Sequence, residues 1–105
     1  PLEDGFSTES GFVAHRVADL LGGHIEFHGK PFPSVFELVR RRLPQTQEPR
    51  RICMIGDTLH TDVLGGAQAG WSTVLVSDHG LFRGHDVGPY IEKSGIVPDW
   101  IVPSI

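Results

Sequence analysis

Two short apolar runs constrain this chain more than any other feature. Residues 51–55 read RICMI and residues 72–77 read STVLVS, and neither shows a clean alternation of apolar and polar side chains. A strand with one wet face alternates, whereas a strand covered on both faces reads as a continuous apolar run. Doubly covered strands belong to parallel sheets, because the crossover to the next parallel strand lays a helix on the sheet. The interval between the runs has room for one: Thr61 to Ala69 reads as a short helix that stops at Gly70.

The flanking segments extend the pattern. Phe12, Val13, Val17, Leu20 and Leu21 recur at helical spacing and predict a helix over Ser10 to Leu21, stopped by Gly22-Gly23. His24 to His28 is expected as a short strand. Pro33 to Leu43 predicts a second helix, with Val35, Phe36, Leu38, Val39 and Leu43 as its apolar stripe and Pro44 as its stop. Residues 78–95 read as loop, with a short helix from Asp86 to Lys93, and Trp100 to Val102 reads as a last strand. The expected fold is α/β, a parallel sheet with helices on both faces. Residues 1–21 form a lead-in with one helix, and residues 22–105 form the core.

Composition excludes several classes. Of the 105 residues, 39% are hydrophobic and 21% charged, which is the balance of a folded domain. The net charge of -4 gives no general attraction to nucleic acid or to an anionic membrane. Arg40, Arg41 and Arg42, with Arg50 and Arg51, are the only basic concentration, and three arginines at a helix end suit its dipole. The single cysteine, Cys53, rules out an internal disulfide and is expected as a buried, inert thiol. No apolar run approaches the roughly 20 residues of a membrane span. The first ten residues lack the basic and apolar regions of a secretory leader, so a cytoplasmic setting is the expectation. The chain does not start with Met and is expected to be a piece of something longer.

In open parallel sheets, ligands sit beyond the carboxyl ends of the strands. Asp57, in the stretch GDTLHTD at 56–62, falls at that edge directly after RICMI. Asp57 and Asp62 together suit a hard cation: Mg²⁺ takes one or two carboxylates, several waters and a substrate phosphate. Gly56 permits a sharp turn, and Thr58 and Thr61 are placed to brace it. Helix capping is the competing role for Asp62. Upstream, Lys30 in HGKPFPSVF stands between the expected strand and helix, where a lysine can neutralise a phosphate as a point charge. The competing reading is an ordinary surface lysine.

GKP at 29–31, a helix, an apolar strand and GDTLHTD, in that order, resemble the haloacid dehalogenase (HAD) superfamily of phosphohydrolases. The likeness is to the class IIA branch, with its cap inserted in mid-chain, which contains sugar-phosphate and nitrophenyl-phosphate phosphatases. DVLGGAQAGWSTVLVSDHG at 62–80 and the closing PDWIVPSI extend the resemblance over residues 22–105, and residues 11–21 are similar to the helix before the lysine motif. The resemblance implies a partial HAD, Rossmann-like core and Mg²⁺-dependent hydrolysis of a phosphorylated small molecule. It implies that Lys30 balances charge on the nucleophile and phosphoryl group and that Asp57 binds Mg²⁺. It implies that Asp62 supports the metal shell through water or steadies Lys30, and that Gly56 keeps the backbone clear. Such enzymes form an aspartyl phosphate that water then cleaves.

The chain departs from the family at the nucleophile. A DxDGT-like motif carries it, and LEDGFS at 2–7 echoes only the second half, with Leu2 at the attacking position. The family's phosphoryl-holding Ser or Thr motif has no counterpart either; Ser7, Thr8 and Ser10 read as helix-capping residues. The chain is therefore expected to be the C-terminal part of a catalytic core, without nucleophile or cap, and inactive alone. A fragment, a stand-alone remnant and one half of a complex are all consistent with this. An open sheet edge would favour a homo-oligomer or a missing N-terminal half as partner. The alternative is a non-catalytic binding or oligomerisation module that keeps the HAD scaffold. The six histidines lack any zinc-ligand spacing. Arg83, in the loop HGLFRGHD, is either a donor to a phosphate ester or a surface residue.

Overall fold

Three parallel strands carry the molecule. The computed structural model describes residues 10–45 and 48–105. In it β1 (Cys53–Gly56), β2 (Ser72–Val76) and β3 (Trp100–Val102) lie side by side in chain order. Cys53 to Gly56 register against Ser72 to Leu75, and Val74 to Val76 register against Trp100 to Val102. β2 is central, and four of its five residues are buried, as its apolar sequence requires. The echo of the nucleophile motif at 2–7 lies outside the described residues.

Among the described residues four α-helices accompany the sheet: α1 (Ser10–Leu21), α2 (Pro33–Arg42), α3 (Leu64–Gln68) and α4 (Gly88–Ser94). Pro33 opens α2, where its missing N–H costs nothing. The end of α2 is closed by side chains. Gln45 Nε2 donates to the carbonyls of Arg40 and Leu43, and Arg40 donates to those of Pro44 and Gln45. The helix expected from Thr61 starts two residues earlier, as a widened π-type turn over Leu59–Val63. The amides of Asp62 and Val63 both donate to the Thr58 carbonyl, at 3.0 and 3.2 Å.

Leu59 and Val63 of that turn pack with Leu75 of β2, Phe82 and Val87, and Ile91 and Ile96 close the cluster. Each such fully buried aliphatic side chain contributes about 1.5–3 kcal/mol. A second contact locks α2 to the following layer. Phe36 meets Trp71 edge-on with ring centroids 5.4 Å apart, and a Cβ at Gly65 would overlap the Phe36 ring.

Two expectations are corrected. His24 to His28 is not a strand: it pairs with no ladder and runs as a connection in which Phe27 packs between the rings of His15 and Phe32. Cys53 is exposed, because β1 is paired on one side only among the described residues and its burial alternates. Ile55, on the same strand, is 46% exposed. The apolar stripe of α1 is likewise open, with Phe12, Leu20 and Leu21 all more than half exposed.

At the N-terminal end of the sheet, one carboxylate ties the strands together. Asp99, just before β3, accepts from both Nη atoms of Arg50, at 2.7 and 3.3 Å. It also accepts from the amide and hydroxyl of Thr73 on β2, at 2.8 and 3.0 Å. The bonds from Arg50, then those from Thr73, hold the Asp99 carboxyl below its ordinary range. The Asp99 amide returns a bond to the Thr73 hydroxyl at 3.0 Å.

Candidate active site

The opposite end of the sheet gathers the acidic motif and the lysine. Gly29, with φ +101, turns the chain sharply, and the Phe32 amide bonds the Gly29 carbonyl at 2.8 Å. This turn sends Lys30 toward the π-type turn, where its Nζ donates to Asp62 Oδ1 at 2.6 Å. The pair joins residues 32 positions apart in sequence. Asp62 is 2% exposed, and burying a carboxylate is costly unless it is paired and hydrogen-bonded. Its other oxygen accepts from the Thr58 amide at 3.2 Å. Half of the Lys30 side chain still faces solvent, so the cation can serve Asp62 and a second anion together.

Both oxygens of Asp62 are therefore engaged by the protein. Its carboxylate reaches back to the amide of Thr58, the residue that precedes the Leu59–Val63 turn, and so also satisfies a donor at the start of that helical segment. Lys30 Nζ and the Thr58 amide are its partners, one on each oxygen. Gly56 makes this arrangement possible, since a Cβ there would overlap the Asp62 carboxylate.

Asp57 is held differently. Its Oδ2 accepts from the Leu81 amide at 3.0 Å, while Oδ1 has only a long contact with the Thr58 hydroxyl at 3.5 Å. At that distance a hydroxyl bond is marginal, so Oδ1 keeps acceptor capacity. Thr58, given no chemical part by the sequence, links the two aspartates through its amide and hydroxyl. The Leu81 amide was also missed, because a main-chain donor leaves no side-chain signature. Its one signal is Gly80, whose φ of +67 and closeness to Asp57 exclude any side chain. His28 bonds Ser34, and Arg83 is exposed in the loop after β2.

Among the described residues no three His, Cys, Asp or Glu side chains converge on one point. The carboxylate oxygens of Asp57 and Asp62 fit Mg²⁺, whose shell is completed by water and phosphate oxygens around one or two carboxylates. No helix among the described residues is long and apolar enough to cross a membrane.

Comparison with known proteins gives one direction. Residues 27–105 match the HAD-hydrolase-like family model. Human chronophin is 34% identical over 108 residues, covering all of this chain and 36% of that protein. Human glycerol-3-phosphate phosphatase is 33% identical over 110 residues, covering all of this chain and 34% of that protein. The p-nitrophenyl phosphatase of Archaeoglobus fulgidus superposes with a TM-score of 0.81 at 25% identity, over 99% of this chain and 39% of that one. The chain thus spans about a third of the length of these two curated relatives.

Proposed function

The chain belongs to the HAD family of phosphatases, in its class IIA branch, and from that premise we propose that it is the part of a Mg²⁺-dependent phosphate monoester phosphatase that carries the lysine and acidic motifs. The observation that carries this reading is the Lys30–Asp62 pair beside a half-engaged Asp57, at the carboxyl end of β1. In this reading Asp62 orients Lys30, and the solvent-facing side of the ammonium takes the phosphoryl oxygens of a small phosphorylated substrate. Asp57, aided by Asp62 through water, holds Mg²⁺. The ion, when bound, offsets charge on the transferring group. Fixed charges of this kind supply most of the acceleration in phosphoryl transfer.

The reading assigns the aspartate nucleophile and the cap to sequence beyond this chain, or to a second copy or partner, and holds the chain inactive alone. What supports this is that β1 is paired on one side only among the described residues, and that its apolar Cys53 and Ile55 are exposed. The exposed stripe of α1 gives the second reading its support: a non-catalytic oligomerisation module on the same scaffold.

Hydrolysis of p-nitrophenyl phosphate by the 105-residue chain, with Mg²⁺ and with EDTA, separates the readings when run beside Asp57→Asn. The proposal expects turnover no higher than the variant's, together with Mg²⁺ binding that the substitution removes. Mg²⁺-dependent turnover abolished by Asp57→Asn would put the nucleophile within this chain or its oligomer. Absence of both turnover and binding would leave the scaffold reading.

A further inference from the structure

We propose that the main-chain amide of Leu81, presented by Gly80, is the positioning group for Asp57: it fixes one carboxylate oxygen and leaves the other turned to a divalent cation. The inference rests on the reading above for the cation at Asp57 and adds what holds that side chain in place.

Three consecutive residues divide the work. Gly80, with φ +67, makes room: a Cβ there would overlap the Asp57 carboxylate. Leu81 donates its amide to Asp57 Oδ2 at 3.0 Å. Its side chain is 48% exposed, so core packing does not account for the placement. Phe82 anchors the turn, being 4% exposed in the main core and edge-on to Tyr90 with centroids 5.2 Å apart. The turn closes through the Arg83 amide on the Gly80 carbonyl at 3.3 Å, so the Leu81 amide is not consumed within it.

The consequence follows from what else touches Asp57. Asp62 is pinned by a cation and an amide, whereas Asp57 has one short bond and one long hydroxyl contact. Without the Leu81 amide the carboxylate would rotate about its side-chain torsions and meet a cation only after being ordered. With the amide in place that ordering precedes binding. Outer partners of ligating carboxylates act this way, and losing one typically weakens metal binding by about 10–100-fold.

The test uses Mn²⁺ as the probe and the full 105-residue chain, followed by paramagnetic broadening of backbone amides, which detects millimolar affinities. Leu81→Pro deletes the donor and no other hydrogen bond of the turn, while Leu81→Ala keeps it. The expected result is Mn²⁺ binding about tenfold weaker or worse in Leu81→Pro and in Gly80→Ala, with Leu81→Ala close to wild type. Equal affinities in Leu81→Pro and Leu81→Ala would overturn the proposal. A second readout needs neither metal nor the proline variant. Asp57→Asn should shift the Leu81 amide proton upfield by weakening its bond to a charged acceptor, and an unmoved resonance would also overturn it. Wild-type Mn²⁺ binding that Asp57→Asn leaves intact would reject the site reading itself, a failure distinct from that of the positioning role.

Discussion

At the N-terminal end of the sheet, Asp99 accepts four bonds, from a guanidinium, an amide and a hydroxyl; at the C-terminal end, Asp57 accepts one short bond from an amide. Asp62, five residues after Asp57, resembles Asp99 more than its neighbour: a cation on one oxygen and an amide on the other. The two ends use the same chemistry to different effect. A saturated carboxylate fastens elements that are distant in sequence, Arg50 to Asp99 at one end and Lys30 to Asp62 at the other. A carboxylate left half-engaged beside such a fastening has capacity for something that is not protein.

The largest effect should come from breaking the pair of half-exposed Lys30 and buried Asp62. Lys30→Met leaves Asp62 with a lone amide donor and should cost about 3 kcal/mol in urea unfolding, because an uncompensated buried charge is expensive. Adding Asp62→Leu should recover most of that loss. By contrast Asp57→Ala should cost about 1 kcal/mol or less, the worth of one exchanged hydrogen bond. Equal costs at the two aspartates would erase the distinction between fastening and available carboxylates.

Gly56→Ala comes next. Its Cβ overlaps the Asp62 carboxylate, and overpacking of this kind costs about 1–3 kcal/mol. Gly23→Ala, with nothing within 4 Å of the new Cβ, is the matched control and should leave the melting temperature nearly unchanged.

A smaller effect is expected at the opposite end, and it depends on pH. Hydrogen bonding, foremost from Arg50, lowers the folded pKa of Asp99. The unfolded chain therefore binds its proton first as pH falls. The stability Asp99 contributes is present in full above about pH 4 and is lost as pH drops through the folded value. Asp99→Asn should lower the melting temperature at pH 7 and flatten its decline below about pH 4. An unchanged acid limb would mean that the Arg50–Asp99–Thr73 link does not hold in solution. Smallest of all, Cys53→Ser should change stability by no more than about 0.5 kcal/mol, as for other exposed positions.

Much of this was legible in the sequence because it is local. STVLVS became β2, RICMI became β1 from Cys53 onward with Arg51 left in the tight turn before it, the periodicity from Ser10 to Leu21 became α1, and GDTLHTD led to the end of a strand. What escaped depends on partners far along the chain. His24 to His28 has strand-like composition and no neighbouring strand to pair with. Cys53 reads as buried because apolar runs usually are, but burial of β1 is decided by whether a strand lies on its open side. Arg50 looked like a solvated residue of a basic cluster until Asp99, 49 positions away, was placed beside it. Of Lys30 and Asp62, the sequence suggested both residues but left open whether either was more than a surface lysine and a helix cap. The Leu81 amide has no side-chain mark at all.

The contrast between the aspartates is tested most directly by thermal unfolding of wild type, Asp57→Asn, Asp62→Asn and Asp99→Asn, each without Mg²⁺ and with Mg²⁺ at about ten times its wild-type Kd. A ligand at ten times its Kd stabilises the folded state by about 1.4 kcal/mol, which is several degrees for a domain of this size. The account predicts that Asp62→Asn and Asp99→Asn melt lower than wild type without Mg²⁺. It predicts that Asp57→Asn melts near wild type without the ion and is alone in losing the ion's stabilisation entirely. An Asp57→Asn protein as unstable as Asp62→Asn, or one that still gains stability from Mg²⁺, would contradict it.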